Sequence, residues 1–128
     1  MAKTSKTYNI IAATSAFIVW GGWSYYINSL ADKNAGIVSG LTQGIASFLM
    51  TLLVVLVVTK IYNNVSHDFL KIILPAFITV SGNCILLIAV HNLVGTPNIL
   101  MTIAPSLTVA FIFCIITALN LRQNEKLS

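Results

Sequence analysis

The chain alternates between long apolar blocks and short polar segments. The blocks cover roughly residues 9–30, 35–59, 72–93 and 99–121, and the seven Lys and Arg residues and three Asp and Glu residues all lie outside them. A bilayer hydrocarbon core about 30 Å thick requires about 20 apolar residues in a helix, and each block meets that length. The pattern predicts an all-α integral membrane protein with a single domain, residues 1–128, folded as a four-helix transmembrane bundle of two hairpins.

Composition favours the same class of protein. Hydrophobic residues make up 57% of the chain and charged residues only 8%, whereas a soluble domain has about 25% charged residues. Such a chain cannot cover its surface in water, so the lipid bilayer is its expected partner. The net charge of +4 comes from scattered positions rather than from one basic face, and we expect no nucleic-acid partner.

The basic residues are divided unequally between the two predicted ends of the bundle. One end holds only Lys33, whereas the other end holds Lys3, Lys6, Lys60, Lys71, Arg122 and Lys126. Cytoplasmic loops of membrane proteins carry an excess of Lys and Arg, so both termini are expected in the cytoplasm (N-in/C-in). The first apolar run passes Ala16 without a small-residue cleavage site, which predicts an uncleaved helix. The compact chain favours a multi-pass protein of a cell membrane, specifically a bacterial cytoplasmic membrane.

Polar residues in the connecting segments predict how the later helices begin. Asn34 is the expected N-cap of the second helix, and Asp68 is the expected N-cap of the third. In the last turn, Thr96 suits the N-cap of the fourth helix. Pro97 would then occupy the first helical position, where its missing N–H costs nothing.

Glycine recurs at every fourth position near the start of the second block. Gly36, Gly40 and Gly44 form two overlapping G-x-x-x-G steps, and Ser47 extends the same small face. Small residues at this spacing let two helix backbones approach closely. The face therefore predicts close helix packing, with two alternatives for the neighbour. It is either the first or third helix of the same chain, or a helix of another membrane protein or of a second copy.

Aromatic residues cluster near the end of the first block. Trp23 fits the belt of Trp and Tyr at a membrane interface, because its ring is apolar and its N–H hydrogen-bonds to water. Trp20 lies about one turn deeper and is expected to find an internal partner for its N–H. Anchoring at the interface is the favoured role of these rings, and stacking on a ligand is the alternative.

Polar residues inside the blocks supply the candidate site. Gln43 and Asn83 must face protein or water, because an unpaired amide in hydrocarbon costs several kcal/mol. Ser81 and Gly82 are expected to form a small polar notch with Asn83. The amides serve either as interhelical hydrogen bonds or as part of a polar pocket, whose candidate residues are Gln43, Asn83, Ser81, Trp20, Trp23 and His91.

Pro105 interrupts the fourth block and predicts a kink there. Proline has no N–H, so the carbonyl of Met101, four residues earlier, loses its helical hydrogen bond. Nearby Ser and Thr side chains are expected to satisfy the polar groups that such a kink frees.

The sequence contains few residues of the types that catalysis or metal binding requires. His67 and His91 are predicted on opposite sides of the membrane, so we expect no metal site and no cofactor. Cys84 and Cys114 lie at different depths, which argues against a disulfide. Asp32 and His91 form the only candidate catalytic couple at one end of the bundle, and we assign no catalytic residue. The blocks contain no Asp, Glu, Lys or Arg, which argues against proton-coupled transport.

These observations predict a protein that acts by contact and is not an enzyme. The leading hypothesis is a non-enzymatic subunit, or an accessory or assembly factor, of a larger membrane complex, because the glycine face offers a docking surface and the loops are short. The alternative is a small passive carrier or flippase for a lipid-linked or amphipathic substrate that uses the polar pocket.

Overall fold

Four helices account for nearly all of the chain. The computed structural model describes residues 6–128 and contains α1 (Lys6–Ser29), α2 (Lys33–Asn64), α3 (Asp68–Val94) and α4 (Ile99–Leu127). All four are long and apolar enough to cross a membrane. The prediction of an all-helical protein with four apolar helices of spanning length is confirmed. Lys3, one of the residues used to predict the orientation, lies outside the described residues.

The beginnings of α2 and α3 correct two capping predictions. Asp32, rather than Asn34, caps α2, because its extended backbone lets the carboxylate accept a hydrogen bond from the Ala35 N–H at 3.2 Å. An N-cap side chain reaches the amide two or three residues ahead, and Asn34 already lies inside the helix. Asp68 is likewise the first residue of α3, and His67 precedes it.

The turn between α3 and α4 corrects a third prediction. Gly95 adopts a left-handed conformation with φ of 73°, and the Thr96 N–H donates to the His91 carbonyl at 2.9 Å. Together with the hydrogen bond from the Gly95 N–H to the Asn92 carbonyl at 3.3 Å, it forms a Schellman motif that ends α3. Thr96 therefore belongs to the end of α3, and α4 begins only at Ile99. The Thr96 side chain is buried within the bundle instead of capping a helix.

The second helix is central in the bundle. It packs against all three other helices, whereas α1 makes no close backbone contact with α3 and only sparse contact with α4 within residues 6–128. The bundle is therefore most loosely closed along the seam between α1 and α4.

The glycine face of α2 lies against α1 of the same chain. A Cβ atom added to Gly40 would lie 3.0 Å from Tyr25 Cβ and 3.1 Å from the Gly21 carbonyl oxygen. Gly44 packs on Phe17, and Gly36 packs so closely on Ser29 that a Cβ there would overlap it. Of the two neighbours predicted for this face, the fold places the first helix of the same chain there. Gly21 completes the contact from the α1 side.

The bundle has two halves with different interiors. We call the half that contains the α1–α2 and α3–α4 turns the hairpin half, and the half that contains the α2–α3 turn the terminal half. The terminal half has an apolar core contributed by α2, α3 and α4: Val54, Val58, Tyr62, Ala76, Cys114 and Ala118. The hairpin half buries many polar residues, including Ser24, Asn28, Ser39, Gln43, His91, Thr96, Thr102 and Ser106.

A polar cluster closes the terminal half beyond the apolar residues. The Tyr62 hydroxyl donates a hydrogen bond to Glu125 at 2.8 Å, and Lys71 forms an ion pair with the same carboxylate at 3.2 Å. The Lys71 ammonium also lies 4.9 Å from the centroid of the Tyr62 ring, within the range of a cation–π interaction. The cluster joins the ends of α2, α3 and α4.

Candidate functional site

A chain of buried hydrogen bonds connects α2, α3 and α4 in the hairpin half. His91 is fully buried, and its Nε2 lies 2.8 Å from Gln43 Oε1 while its Nδ1 lies 2.7 Å from the Thr96 hydroxyl. The Thr96 hydroxyl also lies 3.0 Å from Ser39 Oγ. At the other end of this hydrogen-bonded network, Gln43 Nε2 donates to Ser106 Oγ at 3.2 Å. Every member of this network therefore has a partner.

The partners of His91 fix its tautomer. An amide oxygen can only accept, so the hydrogen bond to Gln43 Oε1 requires the proton on His91 Nε2. In the neutral ring, Nδ1 then accepts from the Thr96 hydroxyl, and the Thr96 oxygen accepts from Ser39. The hydrogen bonds of the network therefore all run in one direction, from the Ser39 hydroxyl towards Ser106. His91 consequently acts as a connector between Thr96 and Gln43, with neither ring nitrogen free for other chemistry.

A second buried cluster connects α1 to the start of α4. The Asn28 amide donates to Thr102 Oγ1 at 2.7 Å and to the Ser24 carbonyl at 2.8 Å. Its oxygen accepts from the Asn98 N–H at 2.9 Å. Because α1 and α4 touch only sparsely elsewhere, this fully satisfied amide is one of the main connections between them.

Trp23 uses the carbonyl that Pro105 leaves free. The Trp23 indole N–H donates to the Met101 carbonyl at 2.9 Å, and Met101 is the residue whose helical partner would be the missing N–H of Pro105. The Met101 carbonyl, which was predicted to lose its helical partner, is thus satisfied by an indole rather than by a Ser or Thr side chain. Trp23, expected at an interface as an anchor, is half-buried and joins α1 to α4.

A cavity lies between the four helices where the polar network gives way to the apolar core. It has a volume of ≈ 190 Å³, and a smaller cavity of ≈ 60 Å³ adjoins it and shares several of its residues. The shared lining consists of Trp20, Met50, Thr51, Asn83, Ser106 and Ala110. An engineered apolar cavity of about 150 Å³ binds benzene. The larger cavity is therefore big enough for one ring, or for the head and first carbons of a longer molecule.

The mouth of the larger cavity lies along the seam between α1 and α4. Ala16 and Trp20 line it from α1, and Val109 and Phe113 line it from α4. Val109 is 50% exposed and Phe113 is 44% exposed, so they form the rim. The hydrogen bonds that join α1 to α4 all lie nearer the turns, at Trp23 and Asn28. The cavity lies farther from the turns than these hydrogen bonds, and its exposed rim is on the side of α1 and α4.

Three polar side chains that line the cavity lack partners. Asn83 and Trp20 make no hydrogen bond to any of residues 6–128, and Asn83 Oδ1 is buried. Thr79 is 6% exposed, and its hydroxyl is also buried without a partner. Thr79 and Asn83 are one turn apart on the same face of α3. Buried polar groups in proteins are nearly always hydrogen-bonded, so the Thr79 hydroxyl and Asn83 Oδ1 mark a place where a partner molecule would be stabilised.

The structure divides the predicted pocket residues among four places, one of which is the outer surface of α3, where Ser81 lies. Gln43 and His91 belong to the buried network, with Ser47 accepting a hydrogen bond from Gln43 at 3.3 Å. Trp20 and Asn83 line both cavities, whereas Gln43 and Ser47 line only the smaller one. Trp23 lies apart, on the Met101 carbonyl.

The notch predicted around Asn83 does not form. Ser81 and Gly82 are exposed on the outside of α3, whereas Asn83 faces the interior. Residues two apart on an α-helix point about 200° away from each other, so Ser81 and Asn83 cannot share a face. The internal partner predicted for the Trp20 N–H is also absent from residues 6–128.

The catalytic couple considered from the sequence, Asp32 and His91, is not assembled in the structure. Asp32 is exposed and serves as the cap of α2, while both nitrogens of His91 are hydrogen-bonded to Thr96 and Gln43, so the two do not form a couple. Within residues 6–128, no three His, Cys, Asp or Glu side chains lie close enough to hold a metal ion. Cys84 and Cys114 are free thiols.

Several members of the site were missed from the sequence, although a signal was present. Polar residues recur at intervals of four or eight along three helices: Ser39, Gln43, Ser47 and Thr51 in α2; Thr79, Asn83 and His91 in α3; and Thr102 and Ser106 in α4, in register with Asn98 just before it. This spacing places each set on one helix face. Considering the hydroxyl residues together with the amides would have predicted three polar faces directed at one another.

Comparison with known proteins leaves the geometry as the basis for assigning a role. The chain matches no protein-family model, no curated protein and no solved structure.

Proposed function

We propose that the protein is a small multi-pass membrane protein that binds an amphipathic molecule between its helices and carries it without catalysing a reaction. The observation that carries this proposal is the cavity lined by Trp20, Thr79 and Asn83, whose polar groups lack partners. Small-molecule sites are typically concave and apolar, with a few polar groups that orient the ligand. A mouth between α1 and α4 would let the rest of a long molecule remain in the lipid.

The first test of binding is a comparison of two phenylalanine substitutions on α4. Ala110 lines both cavities, whereas Ala104 on the same helix is exposed. Ala110→Phe fills the cavity and should abolish retention of a co-purifying amphipathic molecule, measured by mass spectrometry of the protein in gentle detergent. Ala104→Phe should retain it. Equal retention by the wild type and both variants would rule out the cavity as the binding site.

Carrying, as distinct from binding, requires a transport assay. Liposomes containing the wild-type protein should move the identified molecule between leaflets faster than liposomes containing Ala110→Phe. Equal rates in the two preparations would be consistent with binding alone and would contradict the proposed carrier function.

The proposed orientation places both termini in the cytoplasm of a bacterial-type cell. It is supported by Lys60, Lys71, Arg122 and Lys126 at the terminal half, against Lys33 alone at the hairpin end, since basic residues mark the cytoplasmic side. With the two native cysteines replaced, a membrane-impermeant maleimide applied to intact cells should label Ala31→Cys and leave Ser66→Cys unlabelled. The reverse labelling pattern would invert the topology.

A second candidate function is the non-enzymatic subunit, or accessory or assembly factor, of a membrane complex. A groove of ≈ 290 Å³ on the outside of the bundle runs over the α1–α2 seam, lined in part by Gly21, Gly22 and Gly40. A side chain added at Gly22 would meet no atom within 4 Å, so this surface is open to a helix of another membrane protein or of a second copy. Gly22→Leu should then abolish co-purification of a stoichiometric partner while leaving the bundle folded. If the wild type never retains a partner, this candidate fails.

A further inference from the structure

The charge of the cavity lining restricts what the cavity can accept. Its residues are aliphatic, aromatic, hydroxyl and amide side chains, and none of those lining it within residues 6–128 is an acid, a base or a histidine. The buried His91 of α3 does not line the cavity, and Gln43 occupies its Nε2. A charged group in such surroundings would lose its hydration without gaining an opposite charge.

The unpartnered groups of the lining match an uncharged polar head. The Thr79 hydroxyl and the Asn83 amide can each donate and accept hydrogen bonds, and the Trp20 indole can donate. By contrast, the other polar side chains of the lining are already committed: Thr51 donates to the Ser47 carbonyl, and Ser106 donates to the Ile103 carbonyl. A ligand hydroxyl near Asn83 would donate to the buried Asn83 Oδ1, and a ligand hydroxyl or carbonyl would accept from the Thr79 hydroxyl.

The size of the cavity restricts the ligand further. A volume of ≈ 190 Å³ holds a small head and a short stretch of chain, but not a phospholipid headgroup with its acyl chains. The remainder of a long molecule would leave through the mouth between Trp20 and Phe113.

Resting on the proposed function, we infer that the ligand is an uncharged long-chain amphipath with a small hydroxyl or carbonyl head. The head hydrogen-bonds to Asn83 and Thr79, and the chain extends into the lipid between α1 and α4. Among lipid-linked molecules, those with a phosphate or carboxylate head are thereby excluded from the cavity.

The inference is tested with three photoreactive probes that share one alkyl chain and differ only in the head: an alcohol, a carboxylate and a quaternary ammonium. The protein in lipid nanodiscs is labelled with each probe, and the labelled residues are mapped by mass spectrometry. The alcohol should label residues that line the cavity in a saturable manner, with an apparent affinity about tenfold higher than either charged probe. The charged heads bind more weakly because they lose their hydration without gaining an opposite charge in the cavity.

Matched asparagine variants on α3 locate the head. Asn83→Leu should weaken labelling by the alcohol about tenfold, whereas Asn92→Leu should not, because Asn92 is exposed and bonds only to its own helix at the Ile88 carbonyl. Thr79→Val provides the same test should Asn83→Leu not fold. Equal labelling of Asn83→Leu or Thr79→Val and the wild type would overturn the inference.

The outcomes separate this inference from the proposed function. Saturable labelling of the cavity by a charged probe, as strong as that by the alcohol, would overturn the neutral-head inference and leave binding intact. If no probe labels the cavity in a saturable manner, both the inference and the binding function fail.

Discussion

The hairpin half and the terminal half of this bundle are held together by different interactions. In the hairpin half, directional hydrogen bonds through Gln43, His91 and Asn28 connect all four helices. In the terminal half, the apolar core comes from α2, α3 and α4 alone. In the lipid that we propose surrounds the helices, apolar contacts add little hydrophobic drive, because lipid tails are as apolar as the core. Directional hydrogen bonds in the hairpin half therefore set how the four helices are aligned, whereas the apolar core of the terminal half does not include α1.

The largest effect should come from the contact that brings α1 against α2. Gly40→Leu places a side chain where Tyr25 and the Gly21 carbonyl lie within 3.1 Å of its Cβ, so the two helices must separate. We expect a loss of about 3 kcal/mol in the free energy of unfolding, measured by titration with a denaturing detergent. Gly22→Leu, which meets open space, should change it by less than about 0.5 kcal/mol. Similar losses in both variants would show that the close approach of α1 to α2 does not stabilise the hairpin half.

The next effect should come from breaking the buried network. Gln43→Leu leaves the His91 Nε2–H unpaired in the interior and should cost about 2 kcal/mol of unfolding free energy. The matched amide in the terminal half, Gln123, is exposed, so Gln123→Leu should be close to neutral. If Gln43→Leu left the free energy of unfolding unchanged, the two halves would not differ in their dependence on buried hydrogen bonds.

A smaller effect should follow from the hydrogen bond between Trp23 and the Met101 carbonyl. Trp23→Phe keeps a large ring but loses the donor, and should cost about 1 kcal/mol. Pro105→Ala supplies a backbone N–H that can bond to the Met101 carbonyl within α4. In that background, Trp23→Phe should cost little. A double-mutant cycle measured by the same detergent titration tests the coupling, and strictly additive losses would contradict it.

The smallest effect belongs to the polar cluster of the terminal half. The hydrogen bond from Tyr62 and then that from Lys71 lower the pKa of Glu125 below its ordinary value of 4.5, in a region beyond the apolar block that ends at Leu121. A carboxyl group with a lowered folded-state pKa adds stability above its ordinary pKa and loses that stability as the pH falls through the lowered value. The stability difference between wild type and Glu125→Gln should therefore be small at neutral pH and vanish in acid. Because Glu125 is exposed to solvent, high salt should reduce it as well. A difference that grows in acid would contradict this account.

The helices and their approximate ends were predictable because each apolar block is long and uninterrupted by charge. The capping residues were harder to predict, since Asp32 and Asn34 are both good caps and lie two residues apart. Thr96 was misplaced for a related reason: the sequence Gly95-Thr96-Pro97-Asn98 allows either a capping Thr or a Schellman turn. The left-handed Gly95 selects the latter.

The candidate site was predictable only in part. Gln43 and Asn83 stood out because amides are rare in apolar blocks, and helical periodicity alone would have separated Ser81 from Asn83. No local pattern, however, pairs His91 with Gln43, which lies 48 residues earlier in the chain. Likewise, no local pattern predicts that the Trp23 N–H donates to a carbonyl 78 residues later in the chain.

The sequence by itself determined that this chain forms four apolar helices and that no Asp, Glu, Lys or Arg lies within their apolar blocks, because block length and charge placement are local properties. The close approach of α1 to α2 was already implied by glycines at every fourth position, although their neighbour was not. Only the tertiary structure decided that neighbour, the partners of His91 and Trp23, and the cavity with its unpaired Thr79 and Asn83. Each of these depends on the rotation and separation of whole helices, which are set by contacts among all four at once.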